Sequence, residues 1–175
     1  NDHDALTGLY NRLYFEAAKA ELDRGDNHPL SIVLTDINGL KLVNEAFGTI
    51  SGDQMIRKAA TILRECCGPN DVLARTGGDE FSILSPHAGH LEAANLIAAV
   101  RTAFEHYNAT LEDKTRIINL SIAFSVKETT DTGIAEATKQ AEDSLSRQKL
   151  LDKRSHHNAM LATIMATMYE RSFET

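Results

Sequence analysis

The sequence contains little cysteine, little proline and no tryptophan. Its two cysteines, Cys66 and Cys67, are neighbours in a segment with helical periodicity, where side chains one residue apart point in different directions. A disulfide framework is therefore excluded, which favours a reducing compartment and a cytoplasmic location. No apolar run approaches the ~20 residues that a membrane-spanning helix needs, and the opening residues do not resemble a signal peptide. We expect no direct membrane insertion, even if the domain belongs to a membrane-associated parent protein.

Positive charge is also scarce. Lys and Arg number 18 against 25 Asp and Glu, which gives a net charge of −7 at pH 7. A protein that binds duplex nucleic acid needs a basic face, and the sequence has no dense cluster of Lys or Arg, so we expect no nucleic acid partner. An acidic protein can still bind a phosphate-bearing small molecule through a metal ion and a few well-placed cations.

The 175 residues, 42% of them hydrophobic, predict one globular domain with a substantial core. Asn11 is a typical N-cap for a first helix, and the β-branched run over 30–35 predicts a buried strand. Two amphipathic helical patterns follow, separated by Gly48. The remaining patterns are a hairpin over 72–84, a helix over 91–104, a strand over 115–126, a helix over 134–151 and an apolar stripe from Met160 to Met168. Interleaved helices and strands indicate an α/β (α+β) class.

Carboxylates at the ends of two predicted strands form the first candidate site. Asp36 follows the strand over 30–35, and Asp79 and Glu80 lie in the glycine-rich turn of the hairpin. Carboxylate oxygens suit Mg²⁺ or Mn²⁺, and water and substrate phosphates usually complete the coordination of Mg²⁺. Spacing alone favours the simpler interpretation, which is a turn with exposed acids.

The loop after Asp36 is the second candidate site. Gly39 lies at the start of a short helix, where free backbone N–H groups can bind a phosphate, and Lys41 adds a cation there. Asn44 and Asp53 have the donors and acceptors to read the edge of a base. For each residue taken singly, an ordinary loop with capping side chains is the stronger interpretation.

A third candidate is the basic end of the helix over 134–151. Lys149, Lys153 and Arg154 suit the helix dipole and can reach a phosphate tail. A solvated basic helix end is the commoner explanation. His156 and His157 are adjacent rather than one helical turn apart, which argues against a metal site.

Together these segments resemble one family, the GGDEF domains, or diguanylate cyclases. Gly-Gly-Asp-Glu-Phe stands intact at 77–81, and the segment 4–12, Asp-Ala-Leu-Thr-Gly-Leu-Tyr-Asn-Arg, is similar to the N-terminal motif of the family. The resemblance covers about residues 4–154. The other residues that match the family's order and spacing are Asp36, Ile37, Lys41, Asn44, Gly48, Gly52 and Asp53.

The resemblance implies a fold and a reaction. The fold would be like the palm of nucleotide cyclases and polymerases, with a central, mainly antiparallel five-stranded sheet flanked by helices. The reaction would condense two GTP into cyclic di-GMP and release pyrophosphate, with Mg²⁺ (or Mn²⁺) as the cofactor. Each domain would hold one GTP, so catalysis would need a homodimer.

The resemblance also assigns roles to individual residues. The catalytic positions would be Asp79, Glu80 and Lys41. The other positions would be Asp36, the Ile37 carbonyl and Asp79 for the metal, Asn44 and Asp53 for guanine, and Gly39, Leu40, Lys41, Glu80, Lys149 and Lys153 for the phosphates.

Some positions depart from the family pattern. Asn38 stands in place of the second acid of Asp-x-Asp, and Asp152 and Lys153 replace the Gly and Arg that commonly follow the last basic motif. Lys153 keeps a charge but lacks the bidentate fork of Arg, so we expect somewhat weaker phosphate binding. The segment 68–71 lacks the Arg of the family's inhibitory Arg-x-x-Asp, so we expect no product inhibition through it.

The sequence predicts two parts. Residues 1–154 would be the GGDEF domain, and 155–175 a C-terminal linker helix toward a missing downstream domain. This tail resembles linkers that precede an HD-GYP phosphodiesterase, so the parent chain would carry a linked sensor and an HD-GYP domain. The stripe from Met160 to Met168 would pack on a second subunit, on the missing domain or on its own core.

Two other functions remain open at this point. One is a catalytically weak GGDEF domain that binds GTP and regulates a linked phosphodiesterase, which the altered basic motif would favour. The other is a scaffold that binds no nucleotide.

Overall fold

The structure is a computed structural model that describes residues 1–173, except for the side chains at 155–157. Its helices and strands follow the order α1 (Arg12–Arg24), β1 (Leu30–Ile37), α2 (Leu40–Phe47), α3 (Thr49–Cys66), β2 (Val72–Arg75), β3 (Glu80–Ser85), α4 (His90–Thr110), a 3₁₀ helix (Lys114–Arg116), β4 (Leu120–Lys127) and α5 (Ile134–Phe173). None of these helices is long and apolar enough to cross a lipid bilayer.

The strands form one antiparallel sheet in the order β2-β3-β1-β4. Within residues 1–173 the sheet has four strands, so the expectation of five was wrong. The fifth strand came from the resemblance, whereas the sequence patterns themselves indicate four. No Gly or Pro interrupts 134–173, so the chain continues as the helix α5 where a further strand would need a turn.

Strand β1 lies at the centre of the fold, with helices covering both of its faces. Every residue of β1 is buried. Val33 and Ile37 pack into a cluster with α3 and α4, while Ile32 and Leu34 pack on the opposite face with α1 and the first half of α5. The alternation of β1 side chains therefore separates the two clusters, and Asp36 and Ile37 are the last residues of the strand.

Two element boundaries differ from the sequence expectation. The alternating pattern from residue 115 is strand only from Leu120 onward, because 114–116 form a 3₁₀ turn capped by the Asp113 carboxylate. Helix α5 does not end near residue 151 but runs unbroken to Phe173. Asn11 is the N-cap of α1 as expected, since its side chain accepts a hydrogen bond from the Tyr14 N–H.

The apolar stripe near the end of α5 is divided between core and solvent. Met160 packs against the cluster around α3, and Ile164 is only 3% exposed, whereas Met165 and Met168 are largely exposed. Part of the stripe thus packs on its own domain. The division at residue 154 stays a prediction; residues 174–175 of the predicted linker, and the side chains of His156 and His157, lie outside the described residues.

Candidate active site

Antiparallel pairing brings the predicted acidic residues together. Asp36, near the end of β1, lies opposite Glu80 at the start of β3. The Ile37 N–H donates a 2.9 Å hydrogen bond to the Asp79 carbonyl oxygen, which joins the strand end to the hairpin turn. Asp36 therefore meets Asp79 and Glu80, which lie far from it in sequence, at one end of the paired strands.

Asp36 is the electrostatic centre of this group. Asp36 is only 6% exposed, and burial raises the pKa of its carboxyl group, as do the nearby charges of Asp79 and Glu80. Lys149 on α5 opposes this shift, because its Nζ lies 2.5 Å from Asp36 Oδ2. The same hydrogen bond raises the pKa of Lys149. The site thus concentrates negative charge and already holds one cation against it.

These residues fit a divalent cation that the substrate helps to coordinate. Among the residues that the structure describes, no group of three or more His, Cys, Asp or Glu side chains is arranged to hold a metal alone. Asp36, Asp79 and the Ile37 carbonyl nevertheless offer hard oxygen donors. Burial above all, and then the charges of Asp79 and Glu80, raise the pKa of Asp36, so a cation beside it would favour the ionised carboxylate. Mg²⁺ commonly uses one or two carboxylates and takes its other ligands from water and phosphate.

A cavity of about 520 Å³ opens beside the acids, between the start of α2 and the middle of α5. This volume lies within the range of small-molecule sites. We call it the phosphate cavity, because its lining brings together most of the predicted phosphate and metal residues, namely Ile37, Gly39, Leu40, Lys41, Asp79, Lys149 and Lys153. Asp36 and Glu80 line a second cavity of about 260 Å³, which shares Lys149 with the first.

The loop before α2 is shaped by a glycine. Gly39 has φ +76°, in the left-handed region that glycine tolerates best, and α2 begins at the next residue. The first backbone N–H groups of a helix lack partners within the helix, so Gly39 and Leu40 border the cavity with a backbone suited to phosphate. Lys41 extends into solvent, 91% exposed, with its Nζ 3.9 Å from Glu45.

The predicted guanine residues lie on a different part of α2 and α3 and do not line the phosphate cavity. Asn44 packs against Gly52, where any side chain would collide with Asn44 Oδ1. That oxygen is buried and finds no hydrogen-bond donor among the described residues. Asp53 follows Gly52 directly and is half-buried. An unpartnered buried acceptor of this kind suits an N–H donor of a ligand.

Sequence reasoning missed the residues that support the hairpin turn. Arg75 Nη2 donates to the Gly78 carbonyl at 2.8 Å, and its Nη1 lies 3.2 Å from Asp4 Oδ1. Arg12 Nη1 donates to the Thr76 carbonyl at 3.1 Å. Asp4 and Arg12 belong to the N-terminal motif, and the intact motif was the only signal that could have indicated this support.

A further residue that the sequence did not indicate is Asp152. Its Oδ2 accepts a 2.9 Å hydrogen bond from Ser121 Oγ on β4, and its Oδ1 accepts one from Gln148. Asp152 was noted only as a departure from the family pattern. It ties α5 to the sheet between Lys149 and Lys153, which line the phosphate cavity.

Several known proteins are similar to this chain in sequence. The family model described as "Diguanylate cyclase, GGDEF domain" matches residues 1–155. Among curated relatives, the probable diguanylate cyclase DgcE of Escherichia coli is 32% identical over 80% of this chain and 13% of that protein. The cyclic di-GMP phosphodiesterase PdeB of Shewanella oneidensis is 34% identical over 55% of this chain and 11% of that protein. The chain therefore spans less than a fifth of either relative.

Solved structures show the same fold. The GGDEF domain of DgcB from Caulobacter crescentus, determined in complex with c-di-GMP, aligns with a TM-score of 0.74 and 25% identity over 85% of this chain and 90% of that one. The match of the family model to most of the chain, with the intact motif at the hairpin turn, is decisive. The chain belongs to the GGDEF family of diguanylate cyclase domains.

Proposed function

We propose that this chain is a diguanylate cyclase domain, which condenses two GTP into cyclic di-GMP and pyrophosphate with Mg²⁺ at the interface of a homodimer. The observation that supports it most strongly is the convergence of Asp36, Asp79 and Glu80 beside the cavity at the start of α2. Family membership and the intact Gly-Gly-Asp-Glu-Phe motif support it independently.

The chain's own residues divide the work of binding GTP. Asn44 and Asp53 hydrogen-bond the guanine base, which gives the buried Asn44 Oδ1 a donor. The backbone around Gly39 and Leu40 and the ammonium groups of Lys41, Lys149 and Lys153 bind the phosphates. These three lysines place positive charge at the phosphate cavity of a chain whose net charge is −7.

The reaction joins the 3′-oxygen of one GTP to the α-phosphorus of the other, and the bond from that phosphorus to the pyrophosphate oxygen breaks. The hydroxyl proton passes to the Asp79 carboxylate at the turn, and the same step repeated in the opposite direction closes the ring. Asp36 and Asp79, with the Ile37 carbonyl, would hold Mg²⁺. When bound, Mg²⁺ neutralises charge on the phosphate oxygens and lowers the pKa of the attacking hydroxyl. Glu80 and the lysines stabilise and orient the triphosphate.

The proposed homodimer rests on one nucleotide site in each domain. Most of the residues assigned to the phosphates and the metal surround one cavity in the chain, so each domain would bind one GTP, and two domains must face each other to bring two GTP molecules into contact. Control of the dimer geometry would therefore control turnover.

The direct test incubates the chain with GTP and Mg²⁺ and measures cyclic di-GMP by chromatography and mass spectrometry. We expect product from the unsubstituted chain and none from Asp79→Ala. Asp143→Ala is the control, because Asp143 is an exposed acid on α5 outside the site, and it should retain activity. Absence of product from a verified dimer would contradict the proposal.

A second function, regulation by GTP binding without synthesis, has one observation in its favour. Lys149 is already paired with the proposed metal carboxylate Asp36, and Lys153 occupies the place of the family's Arg. The relative PdeB, named as a phosphodiesterase, shows that similar segments also occur in proteins of the opposite activity. This function predicts GTP binding that depends on Asn44 and Asp53 together with no product.

A further inference from the structure

Helix α5 changes faces of the sheet at the candidate active site. Its first half, including Ala141 and Leu145, packs on the face with α1. Lys149 then reaches Asp36 at the end of β1, and Met160 packs into the cluster on the opposite face. The helix therefore passes the end of the strands where the acids lie, and its later turns lie next to α2.

Met160 contacts the loop that begins α2. A Cβ placed on Gly39 would lie 2.5 Å from Met160 Sδ and 3.0 Å from Met160 Cε. The methionine therefore occupies the space that a side chain at position 39 would need. Gly39 is constrained twice, by its positive φ and by the sulfur against its Cα.

The turns of α5 around and after Met160 pack against the rest of the chain. Ile164, one turn later, is 3% exposed, and Met160 and Ile164 line a small cavity together with Asn119. Farther along, the Arg171 guanidinium lies 5.8 Å from the ring centroid of Phe47, which is the last residue of α2. The later part of α5 thus contacts α2 at its beginning and at its end.

We propose that Met160 is a positioning residue for the phosphate-binding loop, so that the later turns of α5 complete the nucleotide site. This inference rests on the proposed function. A glycine loop has wide conformational freedom, and the Met160 thioether restricts it by packing where no side chain of the loop can. The adaptable methionine side chain suits contact with a loop that must adjust to phosphate.

The proposal separates the phosphate part of the site from the guanine part. Gly39 and Leu40 line the phosphate cavity, whereas Asn44 and Asp53 do not. Loss of the Met160 side chain should therefore weaken binding of any ligand that carries a polyphosphate, with or without guanine.

The experiment compares Met160→Ala, Met160→Leu and Met165→Ala with the unsubstituted chain. Met165 is the matched control, since it is a methionine on the same helix and is 61% exposed. Calorimetry measures the Kd of a non-hydrolysable GTP analogue with Mg²⁺ and of magnesium pyrophosphate, and circular dichroism measures the thermal midpoint of each variant.

We expect Met160→Ala to weaken both ligands by about tenfold, because small displacements of a binding group are costly. Met160→Leu, which restores the apolar volume, and Met165→Ala should bind both ligands nearly as the unsubstituted chain does. A lower thermal midpoint in Met160→Ala with unchanged Kd values would overturn the proposal by showing a structural role only. Weakening of the GTP analogue without weakening of pyrophosphate would overturn it too. Failure of the unsubstituted chain to bind the analogue would instead refute the proposed function, and this inference with it.

Discussion

The burial of Asp36 and the negative charge that its proposed role requires oppose each other unless a cation is bound. The carboxylate is buried beside two other acids, which disfavours its ionised form, and yet the proposed function needs that ionised form as a ligand. Lys149 on α5 supplies part of the positive charge that stabilises the ionised carboxylate. A residue placed at an energetic cost is often a functional residue, and Asp36 fits that pattern.

The raised pKa of Asp36 sets a direction for the pH dependence. A protonated carboxyl group does not bind Mg²⁺, so Mg²⁺-dependent binding of a GTP analogue should weaken on acidification at a higher pH than for an ordinary aspartate. The apo domain responds in the opposite sense. Because the folded pKa lies above the unfolded one, this group's contribution to stability falls as pH rises from the unfolded value through the folded value.

Asp36→Asn tests this assignment. We expect the Mg²⁺-dependent part of nucleotide binding to fall by about 100-fold or more, since even neighbours of metal ligands cost 10–100-fold when they are changed. The thermal midpoint without metal should stay the same or rise, because the penalty for burying a charged carboxylate is removed. Asp143→Asn should change neither quantity. A lower midpoint with unchanged binding would show that Asp36 serves the fold alone.

At the scale of elements, the hairpin of β2 and β3 depends on a side chain outside its turn. Arg75 joins the Gly78 carbonyl to the Asp4 carboxylate. Burial opposes ionisation of Asp4, but hydrogen bonds from Thr7 and the charge of Arg75 outweigh it and hold the pKa below its usual value. The Asp4 contribution to stability is therefore present near neutral pH and is lost as pH falls through the folded pKa.

Arg75→Lys should lower the free energy of unfolding by about 2 kcal/mol, as expected for loss of hydrogen bonds that involve charged groups. Lysine keeps the charge but cannot reach both partners in the geometry of a guanidinium. Urea denaturation measures the change, with Arg147→Lys on the exposed face of α5 as the control. Equal stability of the two variants would show that the turn does not need this support.

The pairing of α2 with α3 offers a second test at this scale. Gly52→Ala would place a methyl group against Asn44 Oδ1, so Asn44 must move. We expect the KM for GTP to rise at least about tenfold, the equivalent of one lost hydrogen bond. Gly133→Ala is the control, because a Cβ at Gly133 has no atom within 4 Å. An unchanged KM in Gly52→Ala would show that Asn44 does not bind the guanine base.

These elements also show where sequence reasoning succeeds and where it stops. The hairpin and β1 were predictable, because paired glycines and a β-branched run are local signals. The continuity of α5 was missed because its apolar periodicity is interrupted by polar residues near 152–158. Contacts such as Arg75 with Asp4 and Met160 with Gly39 depend on segments brought together by folding, so no local pattern could reveal them.

For the whole molecule, the sheet acts as the frame that assembles the site. The acids were predictable as residues, and their meeting required the antiparallel register that places Asp36 opposite Glu80. The roles of Asn44, Asp53 and Lys153 came from the resemblance and stay proposals. The fold thus explains why distant motifs have to occur together in one chain.

Dimerisation is the prediction that belongs to the whole molecule. If each domain holds one GTP, the turnover per chain should rise with protein concentration until all chains are dimeric. Initial rates over a wide range of concentrations, with sedimentation at the same concentrations, measure this dependence. A turnover per chain that stays constant in a range where the chain is monomeric would rule out catalysis between two domains.

The most direct test of the site is a calorimetric titration of the chain with a non-hydrolysable GTP analogue, with and without Mg²⁺, repeated on Asp36→Asn and Asp79→Asn. We expect binding that is strengthened by Mg²⁺ in the unsubstituted chain and a loss of that strengthening in both variants. Binding that is indifferent to Mg²⁺, or equally strengthened by it in all three proteins, would show that these two aspartates do not share an ion beneath the nucleotide.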